Sequence, residues 1–243
     1  MADKATSFGA QADVYDRARP EYPAEAVAWM LPSVGENAAR DVADVGAGTG
    51  KLTSGLVAEG RVVTAIDPDA QMLERLSARL PGIRTLVGTG ERLPLPDDSM
   101  DAVVFGQAWH WVDPPRASTE VARVLRPGGT LGLIWNIRDD TEPWVRELTR
   151  VMHTSDAEDL IAAGGPAVGE PFGELEHATF PWMATFTVES LVDLAASRSY
   201  LITATPERRN EVLAGVRSLG ERVRDPDGRI PMPYLTHAYR VRR

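Results

Sequence analysis

The chain of 243 residues is 43% hydrophobic, 25% charged and 7% aromatic, a balance that supports a sizeable folded core and excludes dominant disorder. Its 26 basic and 35 acidic residues leave a net charge of −9, so the average field repels a phosphate backbone and no nucleic-acid partner is expected. There is no cysteine, which excludes disulfides, thiolate metal sites and cysteine nucleophiles, and no metal is expected.

The first residues, Met1-Ala2-Asp3-Lys4, carry no apolar signal core, and the longest uncharged run, 177–188, spans 12 residues against the roughly 20 that cross a bilayer. A cytoplasmic location without a membrane partner is expected, as a monomer or homodimer. Residues 1–39 carry Phe8, Tyr15, Arg17, Arg19 and Tyr22 and predict a helical lid.

From 40 to 138 short β-rich runs alternate with amphipathic helical runs. Strands are predicted at 41–45, 61–66, 83–87, 102–105 and 130–135. Helices with apolar spacing near 3.6 lie between them at Leu52/Leu56, Leu73/Leu76/Leu80 and Val121/Val124/Leu125. Asp113 before Pro114 and Pro115 reads as a helix cap, and Arg126-Pro127-Gly128-Gly129 as the stop of that helix.

Strand alternating with helix predicts a Rossmann-like, doubly wound, mostly parallel α/β sheet. Residues 139–229 read as a helical cover over the substrate site, with a mobile loop at 156–172 around Gly164-Gly165-Pro166 and a helix stripe Val212/Val216/Leu219/Val223. Two late strands, 174–187 and 232–241, are expected as an antiparallel addition at one edge. They bring the sheet to seven strands within a single domain whose last strand lies in 230–243.

The strongest chemical signal is Asp44-Val45-Gly46-Ala47-Gly48-Thr49-Gly50, at the end of the first strand and the start of the first core helix. Glycines there let backbone approach a ligand and present helix N–H groups to it. A phosphate-cradling P-loop is excluded, because Leu52 follows Gly50-Lys51 and its earlier glycine position is Val45. A dinucleotide fingerprint is weakened, because Lys51 stands in place of its last glycine.

An acid two residues before G-x-G-x-G resembles motif I of the class I S-adenosylmethionine-dependent methyltransferases. Three further segments match in order: Ala65-Ile66-Asp67-Pro68-Asp69, then 91–101 with Glu91 and Pro94, then Arg123-Val124-Leu125-Arg126-Pro127-Gly128-Gly129. The resemblance, to methyltransferases of type 11, covers about residues 40–138 and implies S-adenosyl-L-methionine as cofactor.

By that resemblance Asp44 and the backbone of Gly46, Ala47, Gly48, Thr49 and Gly50 hold the methionine part, and Asp67 accepts the ribose hydroxyls. Pro68 and Met72 pack on adenine, Gly90 and Glu91 meet its edge, and Gln107 lines the methionine end. Many relatives have an aspartate where Thr89 stands. Read without the resemblance, Asp44 caps the glycine turn and Met72 belongs to a helix core.

The segment from Tyr15 through Arg19 and Tyr22 to Pro23 is similar to the lid of small-molecule methyltransferases such as the trans-aconitate enzymes. It implies Tyr15 and Arg19 over the cofactor and Tyr22 toward the substrate; packing on the sheet is the alternative for the tyrosines.

Methyl transfer from a sulfonium is an in-line displacement that needs a base only when the nucleophile carries a proton. Among the four histidines, His110 in Gln107-Ala108-Trp109-His110-Trp111 follows the fourth strand at the crevice mouth. It is the candidate base, with Trp111 a candidate substrate wall, unless the ring only shapes the pocket. Arg138, Arg198 and Tyr200 are candidates to grip a substrate carboxylate, with surface ion pairs as the alternative.

The expected partner is a small-molecule acceptor. Asp113-Pro114-Pro115-Arg116 lacks the aromatic residue of adenine-specific enzymes and is explained by helix capping. A cofactor-binding protein that does not methylate, such as a cyclase or a regulator, shares the core and stays open as an alternative.

Overall fold

In a computed structural model that describes residues 19–31, 40–202 and 204–243, five parallel strands follow one another in the predicted order. They are β1 (Asp41–Val45), β2 (Val62–Asp67), β3 (Arg84–Val87), β4 (Met100–Gly106) and β5 (Leu125–Arg138). Strands β6 (Glu176–Phe186) and β7 (Ile230–Arg242) complete a seven-stranded sheet in the order β3-β2-β1-β4-β5-β7-β6.

Both late strands pair antiparallel at the β5 side, as expected. β7 lies between β5 and β6, so the outermost strand is β6. β5 begins earlier than predicted: Met100 pairs with Leu125 and Ala102 with Thr130, so residues 126–129 bulge out of the ladder.

Alternation along the strands sorts their side chains to two faces. Val42, Val63, Ala102, Val104 and Ile134 pack with α1 (Ala24–Met30) and α2 (Lys51–Ala58). Ala65 meets α3 (Ala70–Arg79), while Val103, Phe105, Leu131 and Leu133 meet α4 (Pro114–Val124) on the other face. Asp69 caps α3 by accepting from the Gln71 N–H at 2.9 Å, and Asp113 caps α4 as its Asp-Pro-Pro signature predicted.

The cover has its own apolar cluster. It is built by α5 (Pro143–Met152), α7 (Val188–Ala196) and α9 (Pro206–Val223), with Phe186, Ile230 and Met232 from the late strands. The short helix α8 (Ser199–Ile202) joins α7 to α9.

The segment expected as a mobile loop at 156–172 is different. It opens with α6 (Asp156–Ala162), started by a reciprocal capping box between Ser155 and Glu158. The stretch after α6 is pinned to the turn after β4 and to α4, the Trp109 indole N–H donating to the Ala167 carbonyl at 2.9 Å and the Gly169 N–H to the Ser118 hydroxyl at 2.8 Å. No helix among the described residues is long and apolar enough to cross a membrane.

Candidate active site

The strand order reverses direction between β1 and β4, and a ligand crevice in an open parallel sheet forms outside the strand ends at that switch point. The cleft there is about 810 Å³, counted to its open mouth, and is floored by Asp44, Gly46, Ala47, Gly48 and Thr49. Gly46, at φ +69°, has no room for a Cβ, which would meet the Ala108 Cβ at 2.5 Å. Gly48 also has positive φ but faces open space, and its N–H donates to Asp67 Oδ2 at 2.9 Å.

Asp44 is fully buried. Its Oδ2 accepts from the Thr53 hydroxyl at 2.6 Å, whereas Oδ1 meets no donor. Burial pushes this carboxyl up to about 7; the Thr53 hydroxyl opposes the rise and neighbouring Asp67 adds to it. Asp67, whose Oδ1 accepts from the Asp69 N–H at 2.8 Å, is raised to about 6 by burial against the pull of the Asp69 and Gly48 N–H groups. A buried acceptor with no donor, at the floor of a glycine-lined cleft, fits a ligand that brings an ammonium group.

Gln107 also lines the cleft, held in the left-handed region at φ 55° with its side-chain amide donating to the Asn136 carbonyl at 3.0 Å. That backbone conformation is uncommon for a non-glycine residue. Arg19 and Tyr22 reach the cleft from the N-terminal segment, Arg19 Nε donating to the Ser197 hydroxyl at 3.2 Å. Tyr15 lies outside the described residues.

The adenine-side candidates are placed differently. Gly90 packs so closely on Val112 and Phe105 that a Cβ there would lie 2.8 Å from Val112. Glu91 Oε1 accepts from the Asp113 N–H at 2.9 Å, at the start of α4, and Thr89 exchanges backbone hydrogen bonds with Arg92. Met72 is buried on α3, Pro68 is half-buried beside it in sequence, and neither lines the cleft.

His110 is buried deeply enough to be pushed down to about 4. The Trp135 indole N–H donates to its Nδ1 at 3.3 Å, which puts the ring proton on Nε2. In this arrangement the one lone pair of the neutral ring, on Nδ1, is turned to Trp135, and His110 does not line the cleft. Trp111 packs against this ring in the same single turn and is half-buried outside the cleft.

Of the arginine candidates, Arg198 lines the cleft and Arg138 stands behind it, both on Glu158. Tyr200 donates to the Met152 carbonyl inside the cover and does not reach the cleft. Sequence reasoning missed Asn136, Glu158 and Tyr234, which do line it. Asn136 donates to the Glu21 carbonyl at 3.0 Å and accepts from the Thr236 hydroxyl at 2.7 Å, so it ties β5 and β7 to the N-terminal segment.

A family model described as a methyltransferase domain matches residues 43–133. The chain is 48% identical over 222 residues to an uncharacterized methyltransferase of Mycobacterium tuberculosis, covering 89% of this chain and 86% of that one. A methyltransferase-like protein of Schizosaccharomyces pombe is 32% identical over 233 residues, covering 93% and 91%. Among solved structures, a type II methyltransferase from Anaeromyxobacter dehalogenans shares the fold, with a TM-score of 0.69 at 23% identity over 92% of this chain and 97% of that one.

Proposed function

The chain belongs to the class I S-adenosylmethionine-dependent methyltransferases, and on that premise we propose that it transfers a methyl group directly to a small-molecule acceptor held under the helical cover. The observation that carries this reading is the pairing of two walls in one cleft. The glycine floor with the donorless Asp44 Oδ1 forms one, and Arg198, Tyr234 and Leu194 from the cover form the other.

When bound, S-adenosylmethionine supplies a sulfonium methyl group open to in-line displacement. In the proposed arrangement Asp44 Oδ1 accepts from the ammonium of its methionine part, and Gly48 brings backbone close to it. Asp67 accepts from the ribose hydroxyls. Gln107, fixed by the Asn136 carbonyl, borders the methionine end. Arg19, Tyr22 and the cover residues exclude water, which strengthens each charge interaction inside.

Of the cleft's acidic groups among the described residues, Asp44 is assigned to the cofactor's ammonium, Glu158 is held as a carboxylate by two arginines, and Tyr234 is pushed above the usual tyrosine value by burial. Alignment and desolvation therefore provide the acceleration, and the acceptor arrives as a competent nucleophile or loses its proton to solvent. The acidic surface fits this small-molecule reading better than a nucleic-acid one.

Incubation with cofactor labelled in its methyl group and a fractionated metabolite extract tests the proposal. A labelled small-molecule product is expected; tight cofactor binding with no methyl consumption in any fraction would point to the non-methylating alternative. Asp67→Ala is expected to weaken cofactor binding by at least about 1.5 kcal/mol, because a ribose loses its charged acceptor and Gly48 loses its anchor. Calorimetric titration checks this, and unchanged affinity in a folded variant would remove Asp67 from the site.

A further inference from the structure

Arg138, Glu158 and Arg198 form a buried run of charges at the cover side of the cleft. Glu158 Oε1 accepts from Nε and Nη2 of Arg138 at 3.1 and 2.8 Å, and Oε2 accepts from Nη1 of Arg198 at 3.1 Å. The side chains are 2%, 13% and 8% exposed in chain order. Two guanidinium groups against one carboxylate leave a surplus positive charge where water is scarce, and a guanidinium cannot shed it by losing a proton.

The geometry locates that surplus at one edge of Arg198. Arg61, Arg123, Arg138 and Arg240 each turn the edge formed by Nε and Nη2 onto a glutamate carboxylate, the fork geometry that matches this group. In Arg198 the same edge has no acceptor: Nε is buried without a partner, and Nη2 makes no hydrogen bond to a described residue. Glu158 does not turn to it, because Oε2 also accepts from the N–H and hydroxyl of Ser155 at 2.8 and 2.9 Å.

We propose that the Nε–Nη2 edge of Arg198 is a subsite for a carboxylate of the methyl acceptor, a proposal that rests on the methyl-transfer reading above. Arg198 and Glu158 line the same cleft as Asp44 and Gln107, which sets this guanidinium beside the reaction cavity. A carboxylate on this edge turns two cations and one anion into a balanced set of four. Arg198 comes from the cover just beyond α7, on the side of the cleft facing the glycine loop. The acceptors selected are carboxylic acids, and the corresponding amides are refused.

Wild-type protein saturated with S-adenosylhomocysteine is titrated with succinate and benzoate, with succinamide and benzamide as uncharged controls, and followed by melting temperature and tryptophan fluorescence. The carboxylates are expected to bind saturably and the amides at least tenfold more weakly. Arg198→Gln is expected to weaken carboxylate binding at least tenfold while changing S-adenosylhomocysteine affinity less than threefold, and Arg198→Lys, which keeps the charge but not the fork, to recover only part.

The proposal is overturned if neither carboxylate binds the wild type better than its amide. It is equally overturned if Arg198→Gln costs affinity for S-adenosylhomocysteine in place of affinity for carboxylate, which would assign the edge to the cofactor. Should Arg198→Gln fail to fold, the wild-type comparison and Arg198→Lys decide. A wild-type chain that does not bind S-adenosylhomocysteine at all contradicts the methyl-transfer reading itself, and so is distinguished from failure of the subsite alone.

Discussion

Asp44→Asn is expected to weaken cofactor binding at least about thirtyfold, near 2 kcal/mol, while the ligand-free variant gains stability relative to wild type as pH rises through about 7. The two effects have one cause. A carboxyl raised from 3.8 to about 7 by burial is protonated in the native protein at mildly acidic pH and must bear a buried charge as pH rises through its folded value. Its contribution to stability is therefore complete below the unfolded value of 3.8 and is lost as pH rises through about 7.

Asparagine removes that charge, so the variant's stability relative to wild type is expected to rise by about 1–3 kcal/mol between pH 5 and pH 8, read as the change in the melting-temperature difference between the two proteins. An ammonium ligand holds the same carboxyl ionised. Wild-type cofactor affinity should then fall up to about tenfold for each pH unit below 7, more steeply below about 6 where Asp67 also takes a proton, and the variant should lack the break near 7. A break near 7 that persists in Asp44→Asn would assign the titration elsewhere.

The second large effect concerns the cover. Glu158→Gln leaves Arg138 and Arg198 facing one another without their shared anion, and breaking a buried charge set by removing one partner costs about 3 kcal/mol. For a chain of this size that is roughly 6–12 °C in melting temperature. Burial pushes Glu158 upward, but the Arg138 and Arg198 charges overcome it and hold the carboxyl well below its usual value of 4.5.

For a depressed carboxyl the stabilisation is present above the unfolded value of 4.5 and drains away as pH falls toward the folded one. Wild-type melting temperature should therefore drop below pH 4.5 more steeply than that of Glu158→Gln, so that the two curves converge in acid. Parallel curves, or a variant as stable as wild type at pH 7, would show that the three side chains do not act as a unit.

What was legible from sequence follows the range of the interactions. Asp44, Gly46, Gly48 and Asp67 sit on one strand-turn-helix and the strand beside it, where local chemistry decides the geometry and Asp67 Oδ2 accepts from the Gly48 N–H. The cleft's second wall is assembled over long separations. Arg19 meets Ser197 across 178 residues, and Asn136 meets Thr236 across 100, because β7 returns to pair with β5. No periodicity in a single sequence carries that pairing.

Other features differ in how far a local signal reaches. Ser155 followed three residues later by Glu158 is a capping box, and it marks the helix that was read as part of a loop. The glycines at 164 and 165, with φ 110° and 97°, lie just beyond that helix. His110 was chosen for its place after β4, but the tautomer that decides its chemistry is set by Trp135 on the neighbouring strand β5. Glu91 Oε1 accepts from the N–H of Asp113, 22 residues on, a contact that no local pattern announces.

The most direct measurement of the central claim is an experimental structure of this chain with S-adenosylhomocysteine. The account predicts the ligand's ammonium nitrogen within about 3.2 Å of Asp44 Oδ1 and its ribose hydroxyls on Asp67. A ligand bound away from the glycine floor, with Asp44 Oδ1 still lacking a donor, would contradict it.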